Sequence, residues 1–572
     1  VDLAPLFDAG GASMKARRPD PLLVVLVVVV ALARVPAFFW GLPNVDGWDD
    51  DGVAPRDVLS GVVETYSPGS FYIYPPLELL LVALLTLPFT LWRLAHAPAL
   101  TPESLVRAFV EPGAMTVYAI AARLLSVVFG CLTIALVFDG TERLAGRFAG
   151  RAAALLAACH TAFAYYMHTT NLDGPLLFWC VLAWRELVRV TQGDPSRWRA
   201  ATLATAAALA TKDQGYATLA LPIVLAAGHA IVAAPSGARG EIFARIAKHG
   251  LVALALLLFV DGAFVNPSGF TARIAKLRGS ASQDYRDYVP GLAGSWAILR
   301  DAVVAFPRFL PPEVGALGLL GASTAIRRSR REGKPSVPSL LAPLASLSFF
   351  LLFNLVARRT QERFLMPSSF FLVVPAAEVL AALTARRATL RPLGWAALAA
   401  IGLRGAREIA AVEFAFLHDP RAAVEDFLAA YASPGERVEV YGNNVYLPRI
   451  PAHLVAERVG PSPVNARPLV PGFREVEDAY ENLAARSPEW IVIPEAWGWQ
   501  WLHDPQDERT GRMSAPIHWQ SFAHRETQAF FRALVRGERG YELVQVGVPR
   551  GFWAHVDMHN TLNKRVFVLR RR

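Results

Sequence analysis

The sequence predicts a polytopic α-helical membrane protein with about eleven transmembrane helices and a C-terminal extracytoplasmic α/β domain. Three observations predict it. The 572 residues are 53% hydrophobic and only 18% charged, with a mean hydropathy of +0.32, whereas soluble domains carry about 25% charged residues. Apolar runs of about 18 residues or more, the length that crosses hydrocarbon, recur through the first ~410 positions. Beyond about residue 412 the chain turns to short β-branched stretches alternating with polar helical ones.

The candidate spans are 21–40, 116–138, 148–167, 174–190, 198–212, 215–233, 250–265, 311–326, 338–356, 364–384 and 392–411. Residues 1–20 are expected to be a cytoplasmic amino-terminal segment in which Met14-Lys15-Ala16-Arg17-Arg18 reads as a beginning. The basic stretch before 21–40 resembles a signal peptide, but an uncleaved first helix is expected in so polytopic a chain. The stretch 75–94 is long enough to cross, yet it opens with Pro75-Pro76 and carries Glu78 and Pro88. Charge parity decides its placement. With 75–94 lying in the membrane plane, six basic clusters share one side: Lys15/Arg17/Arg18, Arg143/Arg147/Arg151, Arg185/Arg189/Arg197/Arg199, Arg239/Arg245/Lys248, Arg327/Arg328/Arg330/Arg331/Lys334 and Arg386/Arg387/Arg391. That is the positive-inside pattern; were 75–94 to cross, five of the six would land outside. The first outer loop is therefore 41–115 with a juxtamembrane helix at 75–94, the transmembrane domain is 21–411, and the outer domain is 412–572.

The net charge of +9 sits in these loop clusters, so nucleic acid is not an expected partner. Cys131, Cys159 and Cys180 all fall in apolar runs with neither disulfide nor metal-ligand spacing. In the tail, strands are expected at 437–441, 490–494, 541–546 and 565–569. Helices are expected at 420–431, opening with Asp419-Pro420, and at 476–486.

The first outer loop carries Asp46, Asp49, Asp50 and Asp51 within six positions directly after a transmembrane helix. On the same predicted face lie His168, Asn171 and Asp173, the last also placed to cap the following helix. Lys212-Asp213 interrupts an apolar stretch at the same depth, and ionisable groups there commonly mark a site, although the two could simply pair with each other. Arg34, Arg123 and Arg363 sit at the outer ends of apolar runs. They are placed either to snorkel to headgroups or to face a lipid-linked phosphate, which guanidinium groups match bidentately. Outward carboxylates and cations at a membrane surface suit one reaction: a carboxylate takes the proton of an attacking hydroxyl while fixed cations stabilise a departing phosphate. No glycine-rich nucleotide fingerprint occurs, which agrees with a lipid-linked donor.

These residues resemble the GT-C superfamily of polyprenyl-phosphate-sugar glycosyltransferases, which includes protein O-mannosyltransferases and lipid A aminoarabinose transferases. The likeness rests on Asp49-Asp50-Asp51, Tyr74-Pro75-Pro76-Leu77, Tyr165-Tyr166 through Asn171-Leu172-Asp173, Thr211-Lys212 and, more weakly, Arg359 to Pro367. The resemblance implies a first-loop aspartate as catalytic base, a Pro-Pro juxtamembrane helix and a second functional acid at Asp173. Where the family often has Asp-Glu, three aspartates stand here, so the base is open among Asp51, Asp49 and Asp50, with Asp51 favoured. Tyr74 stands where the family often has histidine. Donor-phosphate contacts are expected from Lys212, Arg123 and Arg363, and substrate contacts from Tyr74, His168 and Asn171. Members of this type are generally metal-independent, so no cofactor is expected, although so dense an acidic cluster also suits a divalent ion.

The expected function is inverting transfer of a sugar from a polyprenyl phosphate to a glycan, lipid or protein hydroxyl, outside a bacterial-type inner membrane. The alternatives are a polytopic transporter or flippase, with Asp173, Lys212 and Arg123 along its pathway, and a scaffold whose tail binds a partner. Trp497, Trp499 and Trp501 are placed to pack at the interface or stack on sugar, and Asn443, Asn444 and Tyr446 to shape a turn or line an acceptor groove.

Overall fold

The structure, a computed structural model, describes residues 20–49, 52–53, 55–279, 283–331, 337–386, 391–464, 467, 470, 472–502, 508–513, 525–547 and 562–572. Helix α1 (Pro21–Arg34) starts where Asp20 accepts bonds from the backbone N–H groups of Leu22 and Leu23, with proline in the first turn. The same carboxylate pairs with Arg147 and Arg151, fixing the start of α1 to a later helix.

Three short helices, α2 (Pro55–Tyr66), α3 (Leu77–Leu85) and α4 (Leu87–Ala95), then α5 (Pro102–Phe109), fill the first loop. The expected helix at 75–94 is thus two helices meeting at 64°. Pro88 has no N–H to continue the ladder of α3, so the chain bends there. The long α6 (Pro112–Ala145), α7 (Arg147–Ala158), α8 (Thr161–Tyr166), α9 (Asp173–Thr191), α10 (Trp198–Thr211), α11 (Gly215–Ala233), α12 (Arg239–Val260) and α13 (Pro267–Arg278) follow. The helical part closes with α14 (Leu292–Phe309), α15 (Pro312–Arg331), α16 (Val337–Phe349), α17 (Glu362–Phe370), α18 (Val373–Arg386) and α19 (Arg391–Leu417).

Helix α6 packs on α7 and α9, and α9 in turn on α10, α11 and α16. Small residues permit the closest approaches: a Cβ on Gly140 would meet the Trp184 ring at 2.4 Å. Against this core, much of α1, α11 and α12 stays exposed although strongly apolar, as expected of surface that meets lipid.

Among the described residues, six helical runs are long and apolar enough to cross a membrane: Pro21–Phe39, Pro112–Ala145, Gly215–Ala233, Ser236–Val260, Val337–Ala357 and Glu362–Ala385. Two sharply bent pairs raise this to eight. The expected count of about eleven is not reproduced, for local reasons. The stretch 148–167 breaks after Ala158 into α7 and α8. The window 174–190 carries Arg185, Glu186 and Arg189. Helix α10 has 14 residues, about 21 Å of rise against a hydrocarbon core of about 30 Å. The class itself is as expected: a multi-pass, mostly helical membrane protein with a small C-terminal sheet domain.

The tail begins with α20 (Pro420–Tyr431), capped by Asp419 through the Arg421 N–H as expected. It builds a six-stranded sheet from β1 (Arg437–Val440), β2 (Val455–Gly460), β3 (Phe473–Glu477), β4 (Trp490–Pro494), β5 (Tyr541–Val544) and β6 (Val566–Arg571), in the order β3-β2-β1-β4-β6-β5. The first four strands are parallel, and β6 pairs antiparallel with β4 and β5. Strands β2 and β3 were not expected, because Glu457, Arg458, Arg474 and Glu475 hide their pattern; these charges pair across the two strands as Arg458–Glu475 and Arg474–Glu457. The helix expected at 476–486 is corrected accordingly: Val476 and Glu477 end β3, and only Leu483–Arg486 is α-helical, after a 3-10 turn at Tyr480–Asn482. The side chain of Trp499 is not among those described, and the outcome for Trp497 and Trp501 is packing within the tail. They pack in the tail's own core, Trp497 stacked 5.8 Å from Tyr441 and Trp501 5.9 Å from Phe531.

Candidate active site

The site is built on the segment between α8 and α9. Here the chain runs non-helically and buried from Met167 to Leu172, so its backbone groups are open to partners from elsewhere. The first outer loop supplies one. Asp49 Oδ2 accepts the Thr170 N–H at 2.8 Å and the Thr170 hydroxyl at 3.3 Å, and Val53 N–H donates to the Thr170 carbonyl at 3.1 Å. The acidic loop is thus tied down on both sides of Asp50 and Asp51, which lie outside the described residues. Gly52 has to be glycine, since a Cβ there would stand 2.5 Å from both Asp49 Oδ2 and Thr170 Oγ1.

Three residues after Thr170, Asp173 opens α9. It does not cap that helix; Asn171 does, its Oδ1 accepting the Asp173 N–H at 3.0 Å. The buried Asp173 carboxylate instead takes Lys212 Nζ at 2.7 Å. Lys212 ends α10 in extended conformation and also lies 6.0 Å from the Phe364 ring of α17. The pairing of Lys212 with Asp213 is corrected: Asp213 bonds Arg273 of α13, which also holds Asp261 at 3.3 Å. Arg273 further donates to the Ile73 carbonyl at 3.3 Å, one residue before Tyr74. Asn266 adds bonds to the Gly69 N–H and the Ser70 carbonyl. The half-buried Tyr74 and its Pro-Pro segment are thereby fixed to the side of the site that holds Lys212.

Helix α17 and the turn before it contribute cations. Arg363 lies 4.5 Å over the Phe364 ring, and Arg359 lies 5.7 Å from the same ring while donating to the Tyr285 carbonyl at 2.8 Å. Asp287, in the loop before α14, feels both arginines and Arg512; burial nonetheless pushes its carboxyl up to about 6. Lys212, Arg359 and Arg363 thus converge on Phe364, with Tyr166 within electrostatic reach of both Asp173 and Arg363.

Two expected site residues are buried and bonded within the protein. Arg123, expected on the donor phosphate, is buried in α6 and donates to the backbone carbonyls of Phe38 and of Trp40, the latter at 2.8 Å. It does not snorkel; it fixes the chain leaving α1 and lies within electrostatic reach of Asp49. His168, expected on substrate, is fully buried, with Nδ1 on the Ala164 carbonyl at 2.9 Å and Nε2 2.8 Å from Glu413 Oε2. Glu413 also pairs with Arg34, so α1, α19 and the 167–172 segment meet at one buried ionic cluster. Glu413, Arg273 and Asp261 were missed. The one signal for Glu413 was an acid near the end of a largely apolar helix.

Among the described residues, no three His, Cys, Asp or Glu side chains are grouped as metal ligands.

Residues 115–261 match the family model described as dolichyl-phosphate-mannose-protein mannosyltransferase. A comparison with curated proteins finds no match. Among solved structures, ArnT from Cupriavidus metallidurans bound to undecaprenyl phosphate is 15% identical over 86% of this chain and 97% of its own, with a TM-score of 0.48. The archaeal oligosaccharyltransferase AglB from Archaeoglobus fulgidus, in complex with an inhibitory peptide and a dolichol-phosphate, is 13% identical over 82% of this chain and 69% of its own, at 0.42. The arabinofuranosyltransferase AftD from Mycobacteria is 15% identical over 96% and 40%, also at 0.42. The family match runs from α6 to just past α12 and so includes Thr170, Asp173 and Lys212; over that stretch this chain is similar to the mannosyltransferases of the superfamily its motifs resemble.

Proposed function

We propose that the chain is a membrane glycosyltransferase moving a sugar from a polyprenyl-phosphate donor to an acceptor hydroxyl on the extracytoplasmic face, with inversion. One observation carries the reading. The loop bearing Asp49, Asp50 and Asp51 is bonded to Thr170, three residues before the Asp173 that pairs with Lys212. Candidate base and candidate phosphate-binding cation therefore belong to one neighbourhood.

In this reading the acceptor oxygen attacks the anomeric carbon as a first-loop aspartate takes its proton. The bond from that carbon to the lipid phosphate breaks, and its electron pair leaves on the phosphate oxygen. Lys212 and Arg363 meet that charge, with no metal in the scheme. A single displacement inverts the anomeric centre. Asp49 Oδ2 is already taken by the N–H and hydroxyl of Thr170; this supports Asp51 as base and Asp49 as the anchor of its loop. Tyr74 and the bent α3–α4 pair would lie at the lipid boundary.

The purified protein is expected to transfer label from a radiolabelled polyprenyl-phosphate sugar to membrane acceptors, and to leave a nucleotide sugar untouched. Label that crosses vesicles without joining an acceptor would make the chain a transporter instead. In the proposed orientation a cysteine replacing the exposed Thr101 reacts with an impermeant thiol reagent from outside, and protection there reverses the topology.

A further inference from the structure

We infer that the tail domain is a latch on the acidic loop, with Asn444 as its positioning residue. In open parallel sheets, ligands ordinarily bind beyond the carboxyl ends of the strands where the strand order reverses. Here that place is at the ends of β1 and β4. The chain leaving β1 there runs into the segment Asn444–Leu447, which reaches the first outer loop.

Asn444 Nδ2 donates to Asn44 Oδ1 at 2.8 Å and to Asp46 Oδ2 at 3.1 Å, with all three residues buried. The Trp48 indole N–H donates to the Leu447 carbonyl at 2.9 Å, and its ring carries the Arg421 guanidinium at 4.4 Å. Arg449 reaches the Leu42 carbonyl at 2.5 Å. Gly41 has φ +69°, and a Cβ there would stand 2.5 Å from the Trp48 ring, so the loop closes tightly over the tryptophan.

Residues 41–48 are therefore gripped by the tail, while Asp49 and Val53 are gripped by Thr170. A loop held from one side only could swing about the other hold. Held from both, the loop has Asp49 and Val53 fixed on the two flanks of the candidate base, and misplacement of a reacting group by about 1 Å can lower a rate about 100-fold. Of the two readings of Asn443, Asn444 and Tyr446, the turn is what they form, and Asn444 gains a positioning role besides. This inference rests on the proposed reaction for its consequence, but not for its geometry.

The test is a polarity swap in the full-length protein. Asn444→Asp sets two carboxylates against each other, Asp46→Asn leaves an amide oxygen that can still accept from Asn444, and the two changes together restore a bond of opposite polarity. Asn444→Ala removes the donor without adding charge, should Asn444→Asp fail to fold. Asn444→Asp and Asn444→Ala are each expected to lose about tenfold in kcat with little change in KM for the donor, Asp46→Asn to lose little, and the double variant to recover most of the Asn444→Asp loss. Hydrogen exchange of residues 40–53, read without any substrate, is expected to rise in Asn444→Asp and Asn444→Ala and fall back in the double. Wild-type exchange and kcat in Asn444→Ala, or a double variant no better than Asn444→Asp, overturns the latch. A wild-type protein that transfers nothing but shows the exchange pattern overturns the assigned donor and leaves the latch standing.

Discussion

Asp51→Asn is expected to lower sugar transfer about 1,000-fold while donor affinity stays within about threefold, because an amide cannot take the acceptor's proton. Asp49→Asn is expected to lose less, about tenfold, since an asparagine oxygen can still accept the Thr170 N–H. Gly52→Ala separates the roles of chemistry and placement. It keeps every carboxylate, yet its new methyl would stand 2.5 Å from Asp49 Oδ2 and from Thr170 Oγ1, so one of the two has to move and transfer is expected to fall with it. Initial rates from labelled donor check all three. Wild-type rates in Asp49→Asn, Asp50→Asn and Asp51→Asn alike would remove the base from this loop.

The second large effect falls on Lys212. Its ammonium lies 2.7 Å from Asp173 Oδ2, with side-chain exposures of 11% and 1%. Lys212→Met leaves that carboxylate buried and alone, which costs about 3–5 kcal/mol of stability by comparison with other broken buried pairs. Asp173→Asn with Lys212→Met removes both charges and is expected to recover most of the thermal stability. Transfer is not expected to return with it, staying at least about 100-fold down, because the departing phosphate has lost a fixed cation. Melting temperature and transfer rate measured on the same preparations separate the two effects. A double variant that regains both would make the pair a structural tie and nothing more.

How far the sequence revealed this arrangement depended on the kind of partner each residue has. Asp173 and Lys212 were legible because a charge in an apolar run is expensive and therefore conspicuous. Their pairing with each other was not, since 39 residues separate them and only packing of α9 on α10 closes that gap. Adjacency suggested Lys212 with Asp213, and the fold instead turned Asp213 to Arg273. Arg123 was just as conspicuous, but its partners are backbone carbonyls, which every residue owns and no pattern betrays. His168 had the right neighbours in sequence and the wrong surroundings in space. In the tail, β4 stood out because all five of its residues are buried and apolar, whereas β2 and β3 carry paired charges that break the expected pattern. Asn444 looked like a turn residue, which it is; that the turn rests on a loop 400 positions earlier had no trace in the sequence.

The most direct measurement is photocrosslinking with a polyprenyl-phosphate analogue that carries its reactive group beside the phosphate. If the acidic loop and the Lys212 cluster serve one lipid-linked substrate, label falls on peptides holding residues 170–173, 212 and 359–363, and excess natural lipid removes it. Label confined to peptides far from both, with none near Lys212, contradicts the account.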